Sequence, residues 1–385
     1  MARQIRKARS QTGAAVVAYE TLCSGRARSH NPNEMGASRY RGRRACSIEN
    51  ESLRVTVVAE GGHIAEILDK RTGINPLWSP QWDSIDPSSL TTDRIGFYGG
   101  PADAPLLAGI LGHNLCLDIF GGPSAEELAA GGSTHGEGSV VRYRLVADGT
   151  GLTASATFPL ANLAFLRRIE LRDTSVLISE TVTNESAIDR PIGWTQHATF
   201  GAPFVKNGVS EHRCSATRAK VFEGSFGPAD YLAPGEVFDW PLAPRINGGV
   251  VDLRRFSSAP ASSGYTAYLM DPAREHAFFV AYSAEFELAA GYVWRRLDFP
   301  WMGLWEENRS RPQTPWNLGE IAWGFEFGCS PFPETRRAMI DRGQLFGTPT
   351  YRWLPARTAV TYKYEAIVTH TRAIPTELHP TARQF

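Results

Sequence analysis

The sequence predicts an all-β protein, a large antiparallel sandwich, on three observations. Between Val140 and Asn184 the runs VVRYRLVA, LTASATFP, AFLRRIELR and SVLISETVTN are short and rich in β-branched and aromatic residues, with turn residues between them. Gly (36) and Pro (25) punctuate the 385 residues throughout. Helical periodicity is sparse, and there are no heptads, no internal repeat of 20–50 residues, no P-loop and no strand–GxGxxG–helix unit. Strands that follow one another at such spacing pack as antiparallel sheets.

Taken in order, residues 1–45 stand apart. They hold ten Lys and Arg against Glu20 and Glu34, without periodicity, and read as a disordered or loosely docked basic extension. Order is expected from Cys46. In CSIENESLRVTVVAEGGHIAEILDKRTG, Leu53, Val55, Val57 and then Ile64 and Ile67 alternate around a Glu60-Gly61-Gly62 turn, the pattern of a β-hairpin. His63 in that hairpin reads as structural.

Residues 75–138 are irregular, and a loop region that long inside a compact domain is usually functional. Ser124 followed by Glu126 and Glu127 predicts a short capped helix over 124–130. Beyond Asn184, PIGWTQHATFGAPFV, VVDLRRFSS, GYTAYLMD, AFFVAYSAE and LAAGYVWRRLDF continue the strand pattern, and residues 358–370 form the last strand. Trp194 and Phe204 read as core. In the pairs Arg167-Arg168, Arg254-Arg255 and Arg295-Arg296 one member faces out, and reads as a solvated position that protects a sheet edge.

Composition excludes several function classes. Forty basic residues balance forty acidic ones, so no global field points to nucleic acid or an anionic membrane. No apolar run approaches a membrane span, and the basic N-terminus lacks the apolar core of a signal peptide. Five cysteines without C-x-x-C pairing argue against a zinc module and a disulfide framework, and make a reducing cytoplasm the expected location.

The chemistry concentrates in residues 299–334, FPWMGLWEENRSRPQTPWNLGEIAWGFEFGCSPFPE. Tryptophans interleaved with carboxylates, amides and arginines are what a sugar site needs: rings cover the apolar faces of a pyranose, and polar groups take its hydroxyls. Glu326 lies inside an otherwise apolar strand, where an unpaired carboxylate is costly. His135 in STHGEG and His197 in WTQHATF are polar residues flanked by Gly, Thr or aromatics. Spacing alone leaves open whether the three meet.

The stretches GGHIAEI, HGEG, GWTQHATFGAPF and GFEFGCSPFPE, in this order over roughly 46–370, resemble the galactose mutarotase (aldose 1-epimerase) superfamily, and more closely a bacterial branch of mutarotase-like proteins. The resemblance implies a β-supersandwich in one domain over 46–385, with a sugar groove and no cofactor or metal. It implies that Glu326 is the base and that His197 and His135 complete the catalytic set. It extends, on weaker matches, to Trp305, Glu306 and Asn308 as substrate contacts; Arg94, by position only, and His113, in a GHNLCLD stretch without a clear counterpart in the well-studied epimerases, are further candidate contacts. The G-R-x-x-N-R stretch of the superfamily is not recognisable here, Arg94 being a positional match only, and the second-His stretch has Ala and Thr in place of an aromatic residue. Both departures bear on which sugar is used.

The activity so implied is interconversion of sugar anomers by Glu/His acid–base catalysis. Three alternatives stay open on the residues. The groove is a carbohydrate-binding site without turnover. Or it serves a glycoside hydrolase or lyase, for which Glu306, Glu307, Glu320 and Glu326 are candidate carboxylates, Glu306 and Glu307 pointing to opposite faces of one strand. Or it takes a phosphorylated sugar through Arg309 and Arg311. A zinc site from His113, His135, His197 and Glu137 is a weaker pattern.

Overall fold

A computed structural model describes residues 38–381. Two antiparallel sheets enclose one continuous apolar core drawn from both. The larger, twelve-stranded sheet runs in spatial order Ser38–Tyr40, Arg43–Glu49, Leu53–Val58, Ile64–Asp69, His113–Asp118, Arg190–Gly201, Ile321–Gly328, Trp301–Asn308, Ser262–Met270, Ala216–Val221 and Val237–Asp239. Arg352–Leu354 pairs with the start of the Arg190–Gly201 strand. The eight-stranded sheet runs Glu211–Cys214, His276–Ser283, Leu288–Arg295, Ala359–His370, Ser175–Asn184, Leu163–Arg172, Gly151–Phe158 and Arg144–Asp148.

The hairpin expected at Glu60-Gly61-Gly62 is present, with both glycines at positive φ (81° and 59°) where a side chain would be strained. The helix expected near Ser124 spans Ala125–Ala129 and carries a full capping box between Ser124 and Glu127. Order starts earlier than expected. Ser38–Tyr40 and Arg43–Glu49 pair as strands, because Ala45 and Ile48 are buried and the Arg43 guanidinium is bound by Asp86, Ser84 and two backbone carbonyls. The rest of the basic extension, 1–37, lies outside the described residues.

The pleat decides which side chains reach which face. On Ile321–Gly328, Ile321, Trp323, Phe325 and Phe327 enter the core between the sheets. On Arg190–Gly201, Trp194, Ala198 and Phe200 do the same. The alternate residues point to the outer face of the large sheet. There a second apolar cluster forms around Trp78, Trp82, Trp305, Trp316, Tyr265 and Cys116. Both faces of these central strands are therefore covered, and the outer cover leaves a cavity.

Candidate active site

Three neighbouring strands build the floor of that cavity. His197 and Glu326 are Cα partners across the Arg190–Gly201/Ile321–Gly328 seam, and Asn114 is the partner of His197 on its other side. His197 Nε2 lies 2.9 Å from Glu326 Oε1, with both side chains almost fully buried. His197 Nδ1 is 2.9 Å from Thr199 Oγ1, two residues along and on the same face. Two glycines make room at the floor, one for the carboxylate and one for its neighbour Tyr265. A Cβ on Gly324 would stand 2.8 Å from Glu326 Oε1, and one on Gly303, the partner of Glu326, would overlap the Tyr265 hydroxyl.

His135 arrives at a φ of 67° from the 119–136 connection, just beyond the Ala125–Ala129 helix. Its backbone N–H donates to Gly121 O and its carbonyl accepts from Leu117 N–H, which pins the loop to the end of the His113–Asp118 strand. Its ring centroid is 5.0 Å from that of His197. Nδ1 is 3.3 Å from Asn114 Oδ1, an oxygen that only accepts, so Nδ1 carries the proton and Nε2 the lone pair. Burial, reinforced by His197 and His63, holds this imidazole well below the ordinary histidine range, and it stays neutral.

The cavity has a volume of about 540 Å³ and is walled by Trp305, Trp316, Phe226 and Leu106, with Asp103, Thr134 and Gln313 among its polar groups. Its far wall is the turn-rich 309–319 connection between the Trp301–Asn308 and Ile321–Gly328 strands. Arg311 on that connection lies 4.5 Å from the Trp316 ring centroid and 5.6 Å from that of Trp305. It donates Nη2–H to Phe226 O at 2.9 Å and its Nε is 3.2 Å from Glu307 Oε2, so the cation is fixed rather than swinging.

Solved structures with the same architecture exist. No protein-family model matches the sequence, and no curated protein matches it. A candidate aldose 1-epimerase from Klebsiella pneumoniae superposes with a TM-score of 0.60 at 13% identity, over 86% of this chain and 80% of that one. A second candidate aldose 1-epimerase, from Escherichia coli K12, gives 0.57 at 13% identity over 85% and 99%. A galactose mutarotase related enzyme from Lactobacillus acidophilus gives 0.54 at 12% identity over 86% and 99%. The fold is the galactose mutarotase-like sandwich.

Within this mutarotase-like frame the residues singled out from sequence separate into two groups. His135, His197, Glu326 and Trp305 all line the one cavity. Glu306, Asn308, His113 and Arg94 do not, and each for a definite reason. Glu306 alternates with Trp305 and so points inward, accepting hydrogen bonds from Ser262 and Tyr231; burial pushes its carboxyl up to about 7. Asn308, on the same side, donates to Ala259 O and Ser262 Oγ. His113 faces the core between the sheets, bonded to Tyr292 and Gln196. Arg94 lies against Tyr98 and lines a separate hollow with Gln81, Asp83 and Phe97.

The other carboxylates are also accounted for. Glu307 shares the cavity side with Trp305, but binds Ser310 and Arg311. Glu320 accepts from Trp78 Nε1 and Gln81 N. Glu137 accepts from the backbone of Leu160 and Ala161, away from His113, so the zinc grouping does not assemble. Sequence reasoning underrated Arg311, weighed only as a phosphate ligand, had Trp316 only as one of the rings of the 299–334 stretch, and missed Asp103 as a wall residue. A tryptophan and an arginine in a turn-rich connector were the available signal.

Proposed function

We propose that the cavity binds a free sugar and interconverts its anomers, with Glu326 and His197 as the acid–base pair. The observation that carries this reading is the 2.9 Å contact between Nε2 and Oε1 at the cavity floor. Ring opening of an aldose takes a proton from the C1 hydroxyl and delivers one to the ring oxygen. Both oxygens are bonded to C1, so acceptor and donor must be close neighbours. Glu326 accepts the hydroxyl proton as the bond between C1 and the ring oxygen breaks, and His197 protonates that oxygen. After rotation about C1–C2 the same steps run backwards on the other face of the aldehyde. No atom is gained or lost.

His135, neutral and with its Nε2 lone pair free of the Asn114 bond, serves as a hydrogen-bond acceptor for a sugar hydroxyl. Trp305 covers an apolar sugar face, and Arg311 and Gln313 donate to oxygens on the far side. The four cysteines among the described residues are free thiols, in keeping with a reducing cytoplasm. No helix among those residues is long and apolar enough to cross a membrane.

Exchange NMR on a panel of neutral, uronic and phosphorylated free sugars, with wild type beside Glu326→Gln, tests the proposal. Accelerated α/β exchange that the substitution abolishes is the expected result. Binding without exchange in either protein overturns turnover and leaves a carbohydrate-binding site. Cleavage of glycosides with no effect on free sugars overturns epimerisation in favour of hydrolysis.

A further inference from the structure

Directly behind the cavity floor, on the inner face of the same strands, runs a chain of buried hydrogen bonds that the reaction does not use. It centres on Glu180 of the eight-stranded sheet. Glu180 Oε1 accepts from Arg167 Nε at 2.7 Å and from Tyr364 O–H at 2.7 Å. Its Oε2 accepts from Gln196 Nε2 at 2.6 Å and from Trp194 Nε1 at 3.1 Å. Gln196 Oε1 is 3.0 Å from His113 Nε2, and His113 Nδ1 is 3.0 Å from Tyr292 O–H. Arg167, the inward-facing member of the Arg167-Arg168 pair, is fully buried and also donates to Gly62 O.

The direction of every bond in this chain is fixed by chemistry. A carboxylate only accepts, so the amide nitrogen of Gln196 must face Glu180 and its oxygen must face His113. His113 therefore carries its proton on Nε2, and its Nδ1 accepts from Tyr292. One donor at each link points towards Glu180.

Gln196 precedes His197, and His113 precedes Asn114, the residue that holds His135. On the outer face Asn114 and His197 are direct partners; on the inner face His113 and Gln196 are bonded diagonally across the same seam. A slip of one residue would exchange the two faces. The apolar residues of the inner face, Leu115 and Leu117 on one strand and Trp194, Ala198 and Phe200 on the other, favour the same register, and His113 and Gln196 are the polar side chains among them whose buried hydrogen-bond partners a slip would strand. We propose that His113 and Gln196 are positioning residues, which lock this register from behind and tie it through Glu180 to the second sheet, so that His197 and the Asn114–His135 pair meet Glu326. A buried polar network is best attested in this role of fixing register rather than adding stability.

The proposal rests on the epimerase reading only for its kinetic arm. In wild type, imidazole ¹⁵N–¹H spectra should show His113 as the Nε2–H tautomer with a slowly exchanging proton; the Nδ1–H tautomer overturns the chain outright. In a His113→Phe/Gln196→Met double variant, which removes both partners so that neither leaves the other unpaired, the His197 imidazole signals should shift or split. The kcat for anomer exchange should fall by about 10²-fold, the cost of misplacing a reacting group by roughly 1 Å, with KM little changed. A folded double variant with wild-type His197 signals and wild-type kcat overturns the proposal. Should the double variant not fold, Gln196→Met alone is read in the same way. Moved His197 signals in a protein whose wild type turns over no sugar would uphold the positioning role and overturn the epimerase reading.

Discussion

Glu326 and His197 face each other as Cα partners on adjacent antiparallel strands, with Oε1 2.9 Å from Nε2. Nothing in their strands needs to move for one proton to pass between them. Glu326→Gln keeps the shape and the hydrogen-bonding reach of the side chain while removing its basicity. It should lower anomer exchange by about 10²–10⁴-fold, the range for one acid–base partner. Thermal melting should stay near wild type, since a buried charge is replaced by a neutral amide. Undiminished exchange in the variant would remove Glu326 from the mechanism.

Gly324 and Gly303 flank the carboxylate and should respond differently to alanine. At Gly324 the new Cβ meets Glu326 Oε1 at 2.8 Å and the Trp305 side chain at 3.1 Å. The carboxylate is the mobile neighbour, so Gly324→Ala should fold and lose activity by about 10²-fold as Oε1 swings off His197. At Gly303 the obstacle is the buried Tyr265 ring, whose O–H donates to Pro331 O at 3.1 Å. Gly303→Ala should therefore destabilise by about 1–3 kcal/mol, the usual cost of overpacking. Melting and exchange assays on the two variants separate these effects.

Arg311 is held over the Trp316 ring and pinned by Phe226 O and Glu307. Arg311→Lys keeps the charge and discards the planar fork and the stacking. The expected outcome is a folded protein whose KM rises roughly tenfold, the value of about 1–2 kcal/mol of lost cation–π and hydrogen-bond fixation, with kcat nearly unchanged. A kcat loss at constant KM would instead place Arg311 among the groups that act only in the transition state.

Four buried histidines make the fold acid-sensitive. Burial holds His63 and His212 down to about 3 and keeps His113 and His135 well below the normal range. With folded values depressed, each contributes stability that is intact above the unfolded value of about 6.5 and is lost as pH falls below it, at about 1.4 kcal/mol per pH unit. Glu306 works the other way: its folded value of about 7 exceeds the unfolded one, so its contribution is fullest at low pH and is lost as pH rises through 7. The histidines outnumber it, so stability should fall as pH drops below about 6.5. Melting curves from pH 8 to 5 check this, and equal Tm at pH 7.5 and 5.5 would contradict it. Neither ring nitrogen of His212 has a hydrogen-bond partner among the described residues, and Trp323, Phe325 and Trp240 surround it. His212→Phe should therefore shift the acid transition downward.

How much of this was legible in the chain depended on whether one face of a strand was polar. Glu326 announced itself, because a carboxylate in IAWGFEFG has no place in an apolar core unless something binds it. The alternation of Trp305, Glu306, Glu307 and Asn308 correctly limits the outer face to every second residue. It leaves unresolved which set faces outward, since all eight residues of the strand are buried. The resemblance selected Trp305 along with Glu306 and Asn308, and the pleat allows only the first. His113 misled for the same reason: its strand is covered on both sides, so polarity carries no directional signal. Arg311 and Trp316 sit on a connector without periodicity, where only tertiary structure shows that the chain folds back over the floor. The pair Arg167-Arg168 divides as the pleat requires, Arg168 outward and Arg167 inward, but the partner that Arg167 finds there, Glu180, is on the next strand and not nearby in sequence.

The strand bearing Glu326, the strand bearing Trp305 and the connector bearing Arg311 and Trp316 are one uninterrupted hairpin, 301–328. The proposed base and the part of the cavity wall built by Trp305, Arg311 and Trp316 are thus encoded in one continuous stretch of chain, whereas His197, His135 and the rest of the wall come from elsewhere in the fold. Transplanting the 309–319 segment between relatives should retune the choice of sugar while the proton chemistry stays where it is, giving diversification within this architecture a short path: new clients without a new engine.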